Sequence, residues 1–126
     1  MFELNFSNKN YIVTGGAGSI GRSIVNGIID NGGNVYCLDI DKATLDEMAG
    51  ELPAERFHPM CVDLSSPELI RSTFDGIISG AGQIHGLVNC VGVISIARFH
   101  ELYQAEWDRI ININLTSVFA ATQAVY

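Results

Sequence analysis

The octapeptide Thr14-Gly15-Gly16-Ala17-Gly18-Ser19-Ile20-Gly21 holds the residue types and spacing in this 126-residue sequence best suited to chemistry. Gly16, Gly18 and Gly21 satisfy G-x-G-x-x-G between a β-like run and a helical one. Glycine is needed where backbone must approach a pyrophosphate, because a β-carbon would stand in the way. The helix that follows turns its free N–H groups and positive dipole end toward the same point, so the turn is a phosphate cradle. Asp39 follows Gly21 by 18 residues and ends the second β-like run. A carboxylate there accepts hydrogen bonds from ribose hydroxyls and repels a 2′-phosphate, which favours NAD over NADP. A tight strand-to-helix turn and a helix cap are the plainer roles for these residues. Asp41 is the better-placed cap, which leaves Asp39 free for a ligand.

A second candidate is Asn114. Trp107, Ile110, Ile111, Asn114, Leu115, Val118, Phe119 and Thr122 follow helical spacing, so Asn114 falls inside a stripe that is otherwise largely apolar. A buried amide there needs partners, and its spare groups can hold a water or orient a catalytic side chain. A helix-kinking structural asparagine is the plainer reading. The three histidines, His58, His85 and His100, form no spaced cluster. Cys37, Cys61 and Cys90 form no close pair, so no metal site is expected and buried small hydrophobes are the simplest reading of the thiols.

The elements that must position these residues alternate. Tyr11–Val13 reads as a first strand, with Ile20, Ile24 and Ile28 marking a helix face that Asn31-Gly32-Gly33 stops. A second strand covers Val35–Leu38, and a helix capped by Asp41 runs to about Leu52 with Leu45, Met48 and Ala49 inward. A third strand spans Phe57–Val62. Ser65-Ser66-Pro67-Glu68 has a capping-box spacing and opens a helix filled by Leu69, Phe74, Ile77 and Ile78. A fourth strand, Ile84–Val88, precedes a loop and a last helix from about Gln104. This order predicts an α/β, Rossmann-type doubly wound parallel sheet in three αβα layers, incomplete at about four strands.

Hydrophobic residues make up 48% of the chain and charged residues 17%, which favours a soluble globular protein over a disordered chain. A formal charge of -7 without a basic stripe disfavours nucleic acid and anionic lipid as partners. No apolar run approaches the ~20 residues of a membrane span, and no signal-like start is present, so a cytoplasmic protein is expected.

Five ordered segments resemble the single-domain branch of the short-chain dehydrogenase/reductase family. They are the glycine turn, Leu38-Asp39-Ile40-Asp41, Val62-Asp63-Leu64, Gly86-Leu87-Val88-Asn89-Cys90-Val91-Gly92, and Trp107 through Phe119 with Asn112-Ile113-Asn114-Leu115. The resemblance implies cofactor contacts from Gly15, Gly18, Ser19, Ile20, Gly21, Asp39 and Ile40. It also implies that Asp63 and Leu64 flank the adenine, that Asn89 steadies the central strand, and that Val91 and Gly92 line the cofactor cleft. Asn114 would belong to the catalytic group, linked to a lysine through water. A turn-forming role at a strand end is the plain alternative for Asp63 and Asn89. Ser19 stands where that branch usually has glycine, and Val91 where it has the smaller alanine. Gly18 instead fits the spacing of the extended, nucleotide-sugar-modifying branch.

Carbonyl reduction in this family needs a tyrosine that passes a proton and a lysine four residues on that lowers a phenol pKa starting near ~10. Lys9 and Lys42 are the chain's lysines, and neither follows a tyrosine by four. Residues 1–126 are therefore expected to be one dinucleotide-binding domain truncated at its C-terminal end. It would belong to an oxidoreductase moving a hydride between NAD and a small alcohol or carbonyl, would be inactive alone, and would form homo-oligomers. The alternative is a non-catalytic dinucleotide-binding or oligomerisation module. A methyltransferase also uses a glycine turn and an acidic strand end, but Asn89–Gly92 and Asn114 speak against it.

Overall fold

Residues 2–126 are described by a computed structural model. Four strands, β1 (Asn10–Thr14), β2 (Asn34–Asp39), β3 (Phe57–Cys61) and β4 (Gly86–Asn89), pair in parallel in the order β3-β2-β1-β4. Helices α1 (Ser19–Asp30), α2 (Lys42–Glu51) and α3 (Pro67–Ala81) make the crossovers. After β4 come a 3₁₀ turn, Phe99–Glu101, and a long helical segment: α4 (Gln104–Ile111), a π-helical stretch at Asn112–Thr116, and α5 (Ser117–Val125).

The strand period of two sorts the core into two layers. Val13, Val35, Cys37 and Phe57 face Val25, Ile28 and Ile29 of α1 and Leu45 and Met48 of α2. Ile12 and Leu38 face Ile70, Phe74 and Ile77 of α3 and Ala120 and Ala121 of α5. A sheet apolar on both faces is what helices on both sides require, and each large side chain buried in it contributes about 1.5–3 kcal/mol. The register sets Thr14 opposite Leu38 and Asn89, and Asp39 opposite Cys61. All four strands thus end at one edge, and their order reverses between β1 and β4, where open α/β sheets bind ligands.

The opposite edge is fastened by Asn10. Its Nδ2 donates to the carbonyls of Gln83 at 3.0 Å and Ala81 at 3.3 Å, while its Oδ1 accepts from Asn34 Nδ2 at 3.1 Å. The Asn10 N–H donates to His85 Nδ1, and the His85 N–H returns to the Asn10 carbonyl.

Several local expectations shift. Ile20 is exposed and Ile24 only half-buried, because α1 turns Gly21, Val25, Ile28 and Ile29 to the sheet. Ala49 is exposed, and in α3 the inward residue is Ile70 rather than Leu69. Ser66, not Ser65, caps α3: its Oγ accepts from Leu69 N, and Pro67 takes the first helical position. The inner face of α5 is Ser117, Ala120 and Ala121, whereas Leu115 and Phe119 are exposed. Reading that stripe by side-chain size picked the outer face, because the inner one is made of small residues that allow close packing.

Candidate functional site

The glycine turn joins β1 to α1 and is held against β2: Gly15 N and Gly16 N both donate to the Leu38 carbonyl, at 2.8 and 3.4 Å. Gly15 has φ 67°, a conformation that costs any residue with a β-carbon. A β-carbon there would also lie 2.5 Å from Val91 N and 2.6 Å from Val91 Cα, so the turn presses directly on the loop after β4. At Gly21 a β-carbon would overlap the Gly15 carbonyl oxygen. Gly18 differs: a β-carbon would meet only the Gly15 oxygen, at 3.4 Å, and would otherwise project into solvent. Gly18 caps α1 with extended backbone and offers no side-chain acceptor. The first N–H groups of α1, at Ser19, Ile20 and Gly21, thus open onto a surface cleared of side chains. That cradle fits a phosphate.

Asp39, at the end of β2, is tied to this turn. Its Oδ2 accepts from the Ala17 N–H and its Oδ1 from the Asp41 N–H, both at 3.0 Å. The carboxylate is not free, as the sequence suggested, but each oxygen keeps a lone pair for a further donor. Asp41 is the α2 cap as expected, accepting from Thr44 N and Thr44 Oγ1. Those two bonds, the hydroxyl first, hold its carboxyl below the ordinary range. Beneath the turn, burial and then the Asp39 charge push the Cys37 thiol up to about 12.

Beside Asp39 a cleft runs along the sheet edge, lined by Asp39, Ile40, Val62, Asp63, Leu64, Ser65, Val91, Val93 and Ile113. The register of three strands brings the sequence candidates Asp39, Ile40, Asp63, Leu64 and Val91 together here. Val62, Ser65, Val93 and Ile113 were missed; each neighbours a named candidate, but only tertiary packing turns it to the cleft. Asp63 also makes a turn, its Oδ1 accepting from Ser65 Oγ at 2.7 Å and Ser65 N at 2.9 Å. Both bonds lower its pKa. Asn89 ends β4 opposite Thr14 and is exposed. Gly92 lies beside Asn114, a β-carbon on it falling 3.6 Å from Asn114 Oδ1.

Asn114 is not the buried amide that its stripe suggested. It is exposed on the π-helical stretch and clamps the backbone of one residue: Oδ1 accepts from Val93 N at 2.8 Å and Nδ2 donates to the Val93 carbonyl at 2.7 Å. The three histidines occupy three separate settings. His58 stacks on Tyr36 with ring centroids 4.6 Å apart, His85 is bound to Asn10, and His100 lies 3.8 Å from Glu101. Burial lowers the His58 pKa. Among the described residues no three His, Cys, Asp or Glu side chains gather to hold a metal ion, and no helix is long and apolar enough to cross a membrane. The glycine turn and the largely apolar cleft thus meet at Asp39, which is bonded to the one and lines the other.

Comparison with known proteins identifies the family. The short chain dehydrogenase family profile covers residues 9–126. Sorbitol-6-phosphate 2-dehydrogenase of Klebsiella pneumoniae is 33% identical over 97% of this chain and 47% of its own length. Chanoclavine-I dehydrogenase of Aspergillus fumigatus is 33% identical over 88% of this chain and 47% of its own. A crystal structure of a short-chain dehydrogenase/reductase, glucose/ribitol dehydrogenase, from Brucella melitensis superposes with a TM-score of 0.91 at 31% identity, over 98% of this chain and 53% of that one. The chain spans about half the length of the curated relatives it matches. With the family profile matching nearly the whole chain, the chain belongs to the short-chain dehydrogenase family.

Proposed function

We propose that this chain is the NAD-binding portion of an oxidoreductase that moves a hydride between NAD(H) and a small alcohol or carbonyl substrate. The observation that carries the reading is the Asp39 carboxylate held on the Ala17 N–H, beside the phosphate cradle and at the mouth of the apolar slot. In this reading the α1 N-terminus and the turn Gly15–Gly21 bind the pyrophosphate, with Gly18, Ser19 and Ile20 at its surface. Asp39 takes the adenosine ribose hydroxyls and repels a 2′-phosphate, which gives NAD its preference over NADP. Ile40, Asp63, Leu64 and Val91 enclose the adenine, and Asn89 and Gly92 carry the cleft onward along β4. The coenzyme, when bound, supplies the hydride acceptor or donor.

Asn114 supports the cleft wall through Val93, and its place in a catalytic group belongs to the whole protein. Residues 1–126 contain no tyrosine followed four residues later by lysine, so purified chain alone is expected to leave NADH unoxidised with any carbonyl. A cytoplasmic location is part of the reading, on its three free thiols. Homo-oligomer formation is the second part, supported by the exposed apolar side chains Leu115, Phe119 and Tyr126 on one helical face. That face also suits the alternative of a non-catalytic oligomerisation module.

Calorimetric titration of the chain with NAD, NADP and S-adenosylmethionine tests the reading. NAD binding tighter than NADP supports it. Binding of S-adenosylmethionine without NAD sinks it, and failure to bind any of the three leaves the oligomerisation module as the better description.

A further inference from the structure

The long helical segment after β4 changes its winding where Asn114 lies. Through Asn112–Thr116 it is π-helical, and the Ser117 N–H donates to the Asn112 carbonyl, five residues back. In an α-helix the same N–H would go to Ile113, four residues back. Backbone angles on both sides stay helical, with Ile111 at φ -62°, ψ -43° and Ser117 at φ -61°, ψ -40°. The wider turn is therefore built into a continuous helix, and the Ile113 carbonyl loses the donor that α-winding would bring. Ser117 supplies another: its Oγ donates to the Ile113 carbonyl. One residue thus withdraws its N–H from Ile113 and returns its hydroxyl.

Ser117 is 2% exposed, among Ala120 and Ala121 on the face of α5 packed against the sheet. A serine hydroxyl buried in an apolar layer must find an acceptor within reach, and the i−4 carbonyl of its own helix is the nearest. Single π-turns inside α-helices are frequent at functional sites. The side chain aimed here is Asn114, which grips both polar groups of Val93. Val93 and Ile113 are both walls of the cleft beside Asp39. Ser117, the π-turn, Asn114 and Val93 therefore form a continuous chain from the buried layer to the cleft wall.

The geometry points to Ser117 as a positioning residue: its hydroxyl holds the π-turn in the winding that keeps Asn114 on Val93 and so fixes the wall of the cofactor cleft. This rests on the reading of that cleft as the coenzyme site only for its functional meaning, since the mechanical link is a property of the chain without ligand.

The test uses the full chain and amide exchange followed by NMR, with the Ile12 amide in the buried strand β1 as internal reference. Ser117→Ala is expected to lower protection of the Val93 amide roughly five- to tenfold, the worth of one hydrogen bond, while Ile12 changes much less. Ser117→Thr, which keeps the hydroxyl, is expected to restore Val93. Unchanged Val93 protection in Ser117→Ala, an equal loss at Val93 and Ile12, or no rescue by threonine overturns the proposal. Should Ser117→Ala not fold, the unmodified chain still decides. Through-hydrogen-bond coupling from Ser117 N to the Asn112 carbonyl is expected, and coupling to Ile113 instead overturns the π-turn on which the proposal stands. NAD titration of the same samples separates the two readings. Exchange that tracks the hydroxyl without NAD binding keeps the positioning role and removes the coenzyme assignment. NAD binding with Val93 indifferent to Ser117 does the reverse.

Discussion

Asp39 Oδ2 lies 3.0 Å from the Ala17 backbone nitrogen and accepts its hydrogen bond, so the side chain that closes β2 is fastened to the glycine turn after β1. A carboxylate and the glycine turn are thereby held at fixed separation, and the proposed preference for NAD over NADP rests on that geometry. The relation also couples ligand choice to the turn itself, and variants at either end should move both.

Asp39→Ala removes the anchor of Ala17 together with the carboxylate proposed to accept from the ribose hydroxyls. The expected loss of NAD binding is about 1.5–3 kcal/mol, roughly ten- to a hundredfold in Kd, with NADP gaining relative to NAD because the repulsion is gone. Titration calorimetry with both dinucleotides checks this. An unchanged NAD-to-NADP ratio would mean that Asp39 is a turn residue and no more.

Gly15→Ala places a β-carbon in the left-handed region and against the Val91 backbone. Neither neighbour is a flexible side-chain end, so the loop after β4 must move. Destabilisation is expected to exceed the ~1 kcal/mol that the same change can gain at a compatible position. Urea denaturation measures it, and Gly27→Ala, at an exposed position in α1 where a β-carbon meets nothing within 4 Å, is the contrast expected to be neutral or stabilising.

Thr14 Oγ1 is buried and has no hydrogen-bond partner among the described residues. An unsatisfied buried hydroxyl costs about 1–3 kcal/mol. Thr14→Val keeps the shape and removes that cost, so it should raise the denaturation midpoint. A lower midpoint would instead reveal a partner for the hydroxyl, such as an ordered water.

Asn10→Ala deletes the three side-chain hydrogen bonds that join β1 to β2 and to the turn before β4. Each is partly exposed, so the sum should be roughly 1–3 kcal/mol, read as a fall in unfolding free energy with NAD affinity unchanged in the folded fraction. The clamp lies at the opposite edge of the sheet from the cleft, and a selective loss of NAD binding would contradict that separation.

Cys37 contributes a pH dependence at the alkaline end. Its thiol is pushed up from 9.0 to about 12 by burial, so the folded chain keeps a proton that the unfolded chain releases. Above pH 9 the unfolded state binds fewer protons than the native one. Stability therefore falls as pH rises, by at most about 1.4 kcal/mol per pH unit from this group. The contribution is complete below pH 9 and declines between 9 and 12. Denaturation curves of the unmodified chain and Cys37→Ala should converge across that window. Alkylation at pH 8 should label exposed Cys61 while leaving Cys37 intact until the chain unfolds.

The alternation of short apolar runs with helical periods was enough to give the parallel α/β class, because strand and helix periods are local properties of the chain. The glycine spacing and Asp39 marked the strand-to-helix turn and the carboxylate beside it for the same reason: a turn of positive φ and a charged strand end are written residue by residue. What the sequence left open was decided by packing. Which face of α5 turns inward depended on close approach by Ser117, Ala120 and Ala121, and hydrophobicity favours the larger Leu115 and Phe119 instead. Asn114 lay in an apolar stripe, but a π-turn and an exposed loop put its amide on Val93. The register of β2, β3 and β4 gathered Ile40, Leu64, Val91 and Val93 into one slot, since pairing over long sequence separations is fixed only when the two core layers close on the sheet.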